Sequence, residues 1–364
     1  MPRKYTEMNI YPDYHHSIIV TSNIEDELGN ILARYPQDKI FLVTETNCDI
    51  HCINLINGAA GFNNFKKIVI PAGEENKKLS SVEKIWLFLS QSGADRKSLV
   101  VNLGGGMLTD LGSFAASTIK RGMDFVNIPT TLLAQVDASV GGKTGFNFNG
   151  LKNEIGVINQ PVSVLIDTRF LQTIDQPNLI SGYAEMIKHG LINSPGHLEE
   201  VRNFDLSNPE FDILRGIIAR SVAIKDSFVF TDPYERNIRK ALNFGHTIGH
   251  AFESYALESD NPILHGYAVA YGMIAELYLS YKVCQLPLSV ITDLSDWLIG
   301  TYGKYTIEES EFEQLYNLMT HDKKNDGTRV NFTLIPAIGE VAINQNCDKS
   351  LIFEALGYFK NINR

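Results

Sequence analysis

The chain has 364 residues, 44% hydrophobic and 20% charged, a balance that fits two globular domains with cores of their own and excludes a disordered chain. With 32 Lys and Arg against 42 Asp and Glu, the formal net charge is −10, which argues against nucleic-acid binding but leaves room for local cations facing a small anion. No apolar run has signal-peptide character or the roughly 18 residues of a membrane span. Four cysteines are too sparse for a disulfide framework, so a reduced, cytoplasmic protein without membrane contact is expected.

In chain order, short Val- and Ile-rich segments predict strands at 17–21, 39–44, 67–71, 98–103, 125–128 and 163–166. Helical periodicity lies between them, as at 80–92, where Val82, Ile85, Trp86, Phe88 and Leu89 share a face. Cys48, His51 and Cys52 lie close together, but no second half-site follows, so they read as a structural cluster rather than a metal site. Alternating strands and helices predict a parallel sheet covered by helices, a Rossmann-like α/β domain over 1–175. A boundary is expected near Pro177, since the residue before a proline disfavours helix. Beyond it, helical periodicity at 181–192, 211–230, 238–255 and 268–284 predicts a mainly α-helical domain over 176–364.

Two stretches of the first domain suit anions. The strand ending at Leu103 runs into Gly104, Gly105 and Gly106 and then a helix start with Asp110, which lets backbone N–H groups approach a pyrophosphate. Thr109 stands where the dinucleotide fingerprint wants its third glycine. A second turn, with Gly73, Glu74 and Lys77, follows another strand, and Glu45 at a strand end is placed for a ribose hydroxyl. Thr130 and Thr131, then Asp137 and the Gly141-Gly142-Lys143 run, then Lys152 and Asn153, read as a second anion cradle.

The second domain carries the metal-ligating residue types. His246 and His250, at i and i+4, share a helix face, and Thr247 stands where a zinc protease would place its glutamate. His265 follows, and Glu185 and Lys188 sit at i and i+3. Two histidines and a carboxylate make a divalent-metal set with open positions, and spacing alone leaves His246, His250, His265, His189 and Glu185 all eligible. Lys188, Lys225, Arg239, Lys323 and Lys324 supply cations.

Together the stretches GGGMLTDLGSFAAST (104–118), KRGMDFVNIPTTLLAQVDASVGGKTG (120–145), LKNEIG (151–156), GYAEMIKHGLI (182–192), LNFGHTIGH (242–250), LHG (264–266) and DKK (322–324) resemble the 3-dehydroquinate synthase family. That resemblance implies Glu185, His246 and His265 as ligands of Zn2+ or Co2+, and gives His250 acid–base work. It implies NAD contacts from Gly73, Glu74, Lys77, Gly106, Asp110, Thr130, Thr131, Lys143, Lys152, Phe170 and Thr173, beside the Glu45 and Gly105 already read from their strand ends. Substrate contacts fall to Arg121, Asp137, Asn153, Lys188, Lys225, Arg239, Asn243 and Lys323 or Lys324. It further implies a homodimer acting on an anionic seven-carbon sugar-acid phosphate through transient oxidation by NAD, phosphate elimination, reduction and aldol closure. Thr109, Leu151, His189 and Tyr267 depart from the family's usual residues. The rival readings are a sister sugar-phosphate cyclase, a metal-dependent alcohol dehydrogenase, and a non-catalytic relative lacking a ligand or cation.

Overall fold

The computed structural model describes residues 17–62, 65–149, 151–258, 262–320 and 330–363. It divides into two compact units, one of residues 1–175 with 210–222, the other of 176–209 with 223–364.

In the first unit the order is β1 (Ser17–Thr21), α1 (Ile24–Leu32), β2 (Ile40–Glu45), α2 (Thr46–His51), β3 (Lys66–Ile70), α3 (Leu79–Gln91), β4 (Leu99–Gly104), α4 (Gly106–Thr118), β5 (Asp124–Pro129), β6 (Lys143–Phe148), β7 (Leu151–Ile158) and β8 (Ser163–Asp167). Six strands form one sheet in the order β1-β8-β5-β4-β2-β3, and every pairing in it is parallel. Period-2 alternation loads both faces: Ile40 and Leu42 of β2 join Leu99, Val101 and Leu103 of β4 in one core, while Phe41, Val43 and Val100 join the other. The chain passes from β3 at one edge to β4 on the far side of β2, so β4 flanks a switch point, where open α/β sheets bind ligands beyond the strand carboxyl ends. Gly112 of α4 faces Asn102 of β4, and no side chain would fit between them.

Two features depart from the sequence reading. The Gly- and Lys-rich run from Gly141 to Asn153, read from sequence as an anion cradle with no strand in it, lies largely in an antiparallel hairpin of β6 and β7. Gly141 and Gly142, both at positive φ, turn the chain into it. β7 is exposed along nearly its whole length, so it shows no burial alternation to betray a strand. Between β5 and β6, Ala134–Ala138 form a π-helical turn that carries Asp137.

The second unit contains α5 (Gln176–Asn193), α6 (Pro195–Arg202), the C-terminal part of α7 (Phe211–Thr231), α8 (His246–Leu257), α9 (His265–Cys284), α10 (Leu288–Tyr302), α11 (Phe312–Thr320), the antiparallel pair β9 (Val330–Ala337) and β10 (Glu340–Cys347), and α12 (Lys349–Ile362). The expected boundary at 175/176 places all of α7 in the helical domain, whereas its residues up to Val222 cluster with the first unit. The expected single helix over 238–255 is two elements. Ile238–Asn243 form a 3-10 turn, and Gly245, in the left-handed conformation, starts α8 at His246. Among the described residues, no helix is long and apolar enough to cross a membrane.

Candidate active site

In the second unit, glycines let three helices meet. A Cβ on Gly272 of α9 would lie 2.5 Å from Gly249 N and 2.8 Å from its Cα in α8. A Cβ on Gly249 would lie 2.8 Å from Ala268 O. A Cβ on Gly266, at the start of α9, would overlap the Ser181 carbonyl of α5. With backbones this close, α5 delivers Glu185, α8 delivers His246 and His250, and α9 delivers His265 to one place.

Glu185 is fully buried and ion-paired with Lys188, itself 1% exposed. Neither Glu185 oxygen accepts a well-formed hydrogen bond. Its Oε1 lies 3.4 Å from His246 Nε2 and 3.9 Å from His265 Nε2. Donors in a tetrahedral shell with bonds of about 2.05 Å stand roughly 3.3 Å apart, so the set suits a small divalent ion. With Oε2 on Lys188 and Oε1 toward the histidines, this buried carboxylate is also a group that such an ion would satisfy.

The far nitrogen of each imidazole is held. His246 Nδ1 lies 3.1 Å from Phe244 O, where it donates, and His265 Nδ1 lies 3.3 Å from Glu253 Oε2. With Nδ1 as the donor, each ring presents its Nε2 lone pair toward Glu185. Burial, with the charge of Lys188 and the neighbouring His250 and His265, holds His246 well below the ordinary imidazole pKa. It is therefore neutral, as a ligand must be. His250 lies in the same cluster, its ring centroid 5.3 Å from that of His246 and 5.8 Å from that of His265. Ligand atoms of the three histidines all lie within 4.8 Å of one another, so geometry keeps His250 eligible, as spacing did.

Beside this centre runs the segment between α7 and α8. The Asp232 carboxylate accepts from the N–H groups of Arg236 (3.0 Å), Asn237 (2.6 Å) and Arg239 (3.2 Å), fixing the loop. Arg239 is buried and donates from Nη1 to Pro233 O at 2.6 Å. Asn243 donates to Glu235 Oε1 at 2.7 Å. Glu235, at φ 56, was missed from sequence, though an acidic residue four before Arg239 and eight before Asn243 is a signal that helix thinking discards. Lys225 is buried on α7, and His189 is fully buried on α5. Tyr267 packs edge-on against Tyr302. Lys323 and Lys324 lie outside the described residues.

In the first unit, the N-terminus of α4 opens on Gly105, which has no side chain to cap it, so its first N–H groups are available to an anion. Thr109, in the place of the third glycine, turns its hydroxyl onto Gly105 O and Gly106 O, so the substitution leaves the helix start intact. Lys77 donates to Asp110 Oδ2 at 2.5 Å. Burial pushes the Asp110 carboxyl up, Lys77 opposes this, and Glu74 and Asp137 push further. Asn147, also missed, joins two expected segments: its amide donates to Glu74 Oε1 (2.9 Å) and its oxygen accepts from Asn153 N (2.9 Å). Thr130 and Thr131 follow β5. The hydroxyl of Thr130 lies 3.1 Å from Cys48 Sγ, and that of Thr131 accepts from Ala134 N at 3.2 Å.

Other expected residues have evident local work. The Glu45 carboxylate caps α2, accepting from Asn47 N and Cys48 N at 2.8 Å each, which leaves lone pairs for a further donor. Phe170 is a core side chain and offers a cofactor only its backbone, while the Thr173 hydroxyl reaches Phe170 O at 3.5 Å. The Cys52 thiol and burial hold Cys48 far above the usual thiol range, so the Cys48 thiol stays protonated and packs in the core. Lys143, Lys152 and Leu151 are exposed on the hairpin. Arg121 sits at φ 66 after Lys120 at φ 54, two consecutive left-handed residues where the resemblance places a substrate contact.

Family models for the 3-dehydroquinate synthase N-terminal and C-terminal regions match residues 67–181 and 182–325. The chain belongs to the 3-dehydroquinate synthase family. A 3-dehydroquinate synthase from Parabacteroides distasonis is 47% identical over 343 residues, 94% of this chain and 97% of that protein. Among solved structures, 2-epi-5-epi-valiolone synthase from Streptomyces hygroscopicus, with NAD+ and Zn2+ bound, superposes with a TM-score of 0.83 at 23% identity, covering 98% and 99% of the two chains. A 2-deoxy-scyllo-inosose synthase complexed with carbaglucose-6-phosphate, NAD+ and Co2+ gives 0.79 at 24% identity, covering 94% and 95%. These two likenesses establish the fold: a parallel-sheet Rossmann-like domain followed by a helical one.

Proposed function

We propose that this chain, an enzyme of the 3-dehydroquinate synthase family, converts 3-deoxy-D-arabino-heptulosonate 7-phosphate to 3-dehydroquinate and inorganic phosphate, with NAD and Zn2+ or Co2+ as cofactors. Family membership supports the reaction, and the convergence of Glu185, His246 and His265 from three helices carries the metal reading. When bound, NAD would supply a reversible hydride acceptor and the metal a Lewis acid for substrate hydroxyls.

The chain's own residues bind and orient. Glu185, His246 and His265 hold the ion, and Lys188, buried beside Glu185, places a cation against substrate oxygens. Arg239, its guanidinium fixed by Pro233 O, takes the substrate carboxylate. Arg121, Lys152, Asn153 and Lys225 take the phosphate, and Asp137 and Lys324 complete the substrate contacts. Asn243 is oriented by Glu235, and His250 moves protons, an effect typically worth about 10²–10⁴-fold. The α4 start at Gly105 and Gly106, with Glu45, Gly73, Glu74, Lys77, Asp110, Thr130, Thr131, Lys143, Phe170 and Thr173, holds NAD. A carbon–oxygen lyase acting as a cytoplasmic homodimer is part of the same reading, supported by family membership.

The test is to follow phosphate and dehydroquinate together with catalytic NAD and added Co2+. Equal yields, abolished by chelator and by His246→Ala, support the reading. NADH accumulating on simple alcohols without phosphate release sinks it in favour of a dehydrogenase. Turnover only of sugar phosphates lacking a carboxylate favours a sister cyclase.

A further inference from the structure

We propose that Glu276 is a positioning residue for the metal centre, acting through a single peptide plane on His246; this rests on the metal reading above. Glu276 is the one acidic residue of α9, and it is fully buried in a mostly apolar helix. A buried carboxylate is costly unless donors meet it. Its Oε2 accepts from Gly245 N at 2.6 Å and its Oε1 from Ile248 N at 3.1 Å.

Those two donors are the N-cap and N3 positions of α8, the pair that a capping box satisfies from within a helix. Here the N-cap residue is a glycine in the left-handed region with no side chain to cap anything. The work is done instead from a neighbouring helix, which Gly249 and Gly272 bring into backbone contact. Negative charge at a helix start is also favoured by the helix dipole.

The consequence for chemistry lies in which peptide is held. The Gly245 N–H and the Phe244 C=O belong to one rigid amide. Glu276 grips its N–H side, and the Phe244 oxygen on the other side receives the His246 Nδ1–H. Fixing that plane fixes the tautomer and ring orientation of His246, and so directs Nε2 at Glu185 3.4 Å away. His265 is oriented directly by the Glu253 carboxylate, and His246 indirectly by the Glu276 carboxylate through a peptide. The ligand is therefore set before an ion arrives.

Glu276→Gln tests this in the full chain. A glutamine oxygen serves one of the two N–H groups, while its NH2 opposes the other. Titrating Co2+ into the metal-free protein is expected to give about 10–100-fold weaker binding and an altered visible ligand-field spectrum. A merely structural role would lower the melting temperature and leave that spectrum unchanged. Wild-type Co2+ affinity and spectrum in Glu276→Gln would overturn the proposal. Should His246→Ala also bind Co2+ like wild type, the metal reading itself fails.

A second measurement needs no variant. Hydrogen exchange of 245–248 in metal-free wild-type protein is expected to show protection that Co2+ does not increase. Protection appearing only with Co2+ would mean the ion, not Glu276, orders this turn, and would also overturn the proposal.

Discussion

Substituting Gly266 by alanine should damage the metal centre without touching a ligand. The added Cβ would overlap Ser181 O and lie 2.5 Å from Ser181 C and 2.7 Å from its Cα, all backbone atoms of α5 that no rotamer change can clear. Bringing the 1.7 Å approach to Ser181 O out to 3.0 Å requires the start of α9 to retreat from α5 by about 1.3 Å. The same turn carries His265, whose Nε2 is 3.9 Å from Glu185 Oε1. A retreat of that size carries the pair toward roughly 5 Å, against about 3.3 Å for two donors sharing a tetrahedral ion. Overpacking of this kind costs about 1–3 kcal/mol in stability, and a 1 Å misplacement at a reacting centre can cost ~10²-fold in rate. Co2+ titration, melting temperature and phosphate release should all be measured on Gly266→Ala. Weaker Co2+ binding with turnover down about a hundredfold is expected. Wild-type Co2+ affinity with an unchanged melting temperature would refute the idea that backbone contact between α5 and α9 sets the ligand spacing.

Lys77→Met should remove the counter-cation of Asp110 and raise that carboxyl further. A raised acid contributes stability below its unfolded pKa and loses it as pH rises through the folded value, so the variant's deficit in unfolding free energy, read by denaturant titration, should widen from pH 4 to 7, reaching about 3 kcal/mol. Glu25→Gln has the opposite sign. The hydrogen bond from Arg169 lowers the Glu25 pKa, so its stabilisation is present above the usual carboxylate range and fades as pH falls through the folded value; melting curves of variant and wild type should converge in acid. Asn147→Ala should unlink Glu74 from Asn153. Loss of two hydrogen bonds worth about 0.5–1.5 kcal/mol each should raise the KM for NAD or substrate several-fold while the melting temperature moves little, and an unchanged KM would show that the link has no bearing on binding.

The sheet was legible because its strands are buried on both faces and punctuated by glycine and polar turns. The expected 17–21 strand is β1, and 98–103 differs from β4 by one residue at each end. The β6–β7 and β9–β10 hairpins were not legible, for different reasons. β7 is exposed on both sides, and β9 carries Pro336 and follows a long helical run, so the pattern around it argues for helix. The break at Gly245 hid inside an apolar-periodic stretch because the 3-10 turn before it keeps nearly the same spacing. Sequence placed the metal-type residues in one domain but could not choose among the histidines, since their meeting depends on helix packing. Glu276 did leave a signal: a lone carboxylate within twenty mostly apolar residues marks a buried charge with a task.

The glycines that join α5, α8 and α9 also bear on how this domain can evolve. Every amino-acid substitution of a glycine introduces a Cβ, and at Gly249, Gly266 and Gly272 each would meet backbone at 2.8 Å or less. No series of small mutational steps widens this frame. New specificities in this architecture have to be sought in the side chains and loops around the helices, and libraries intended to alter the substrate should leave these three codons fixed.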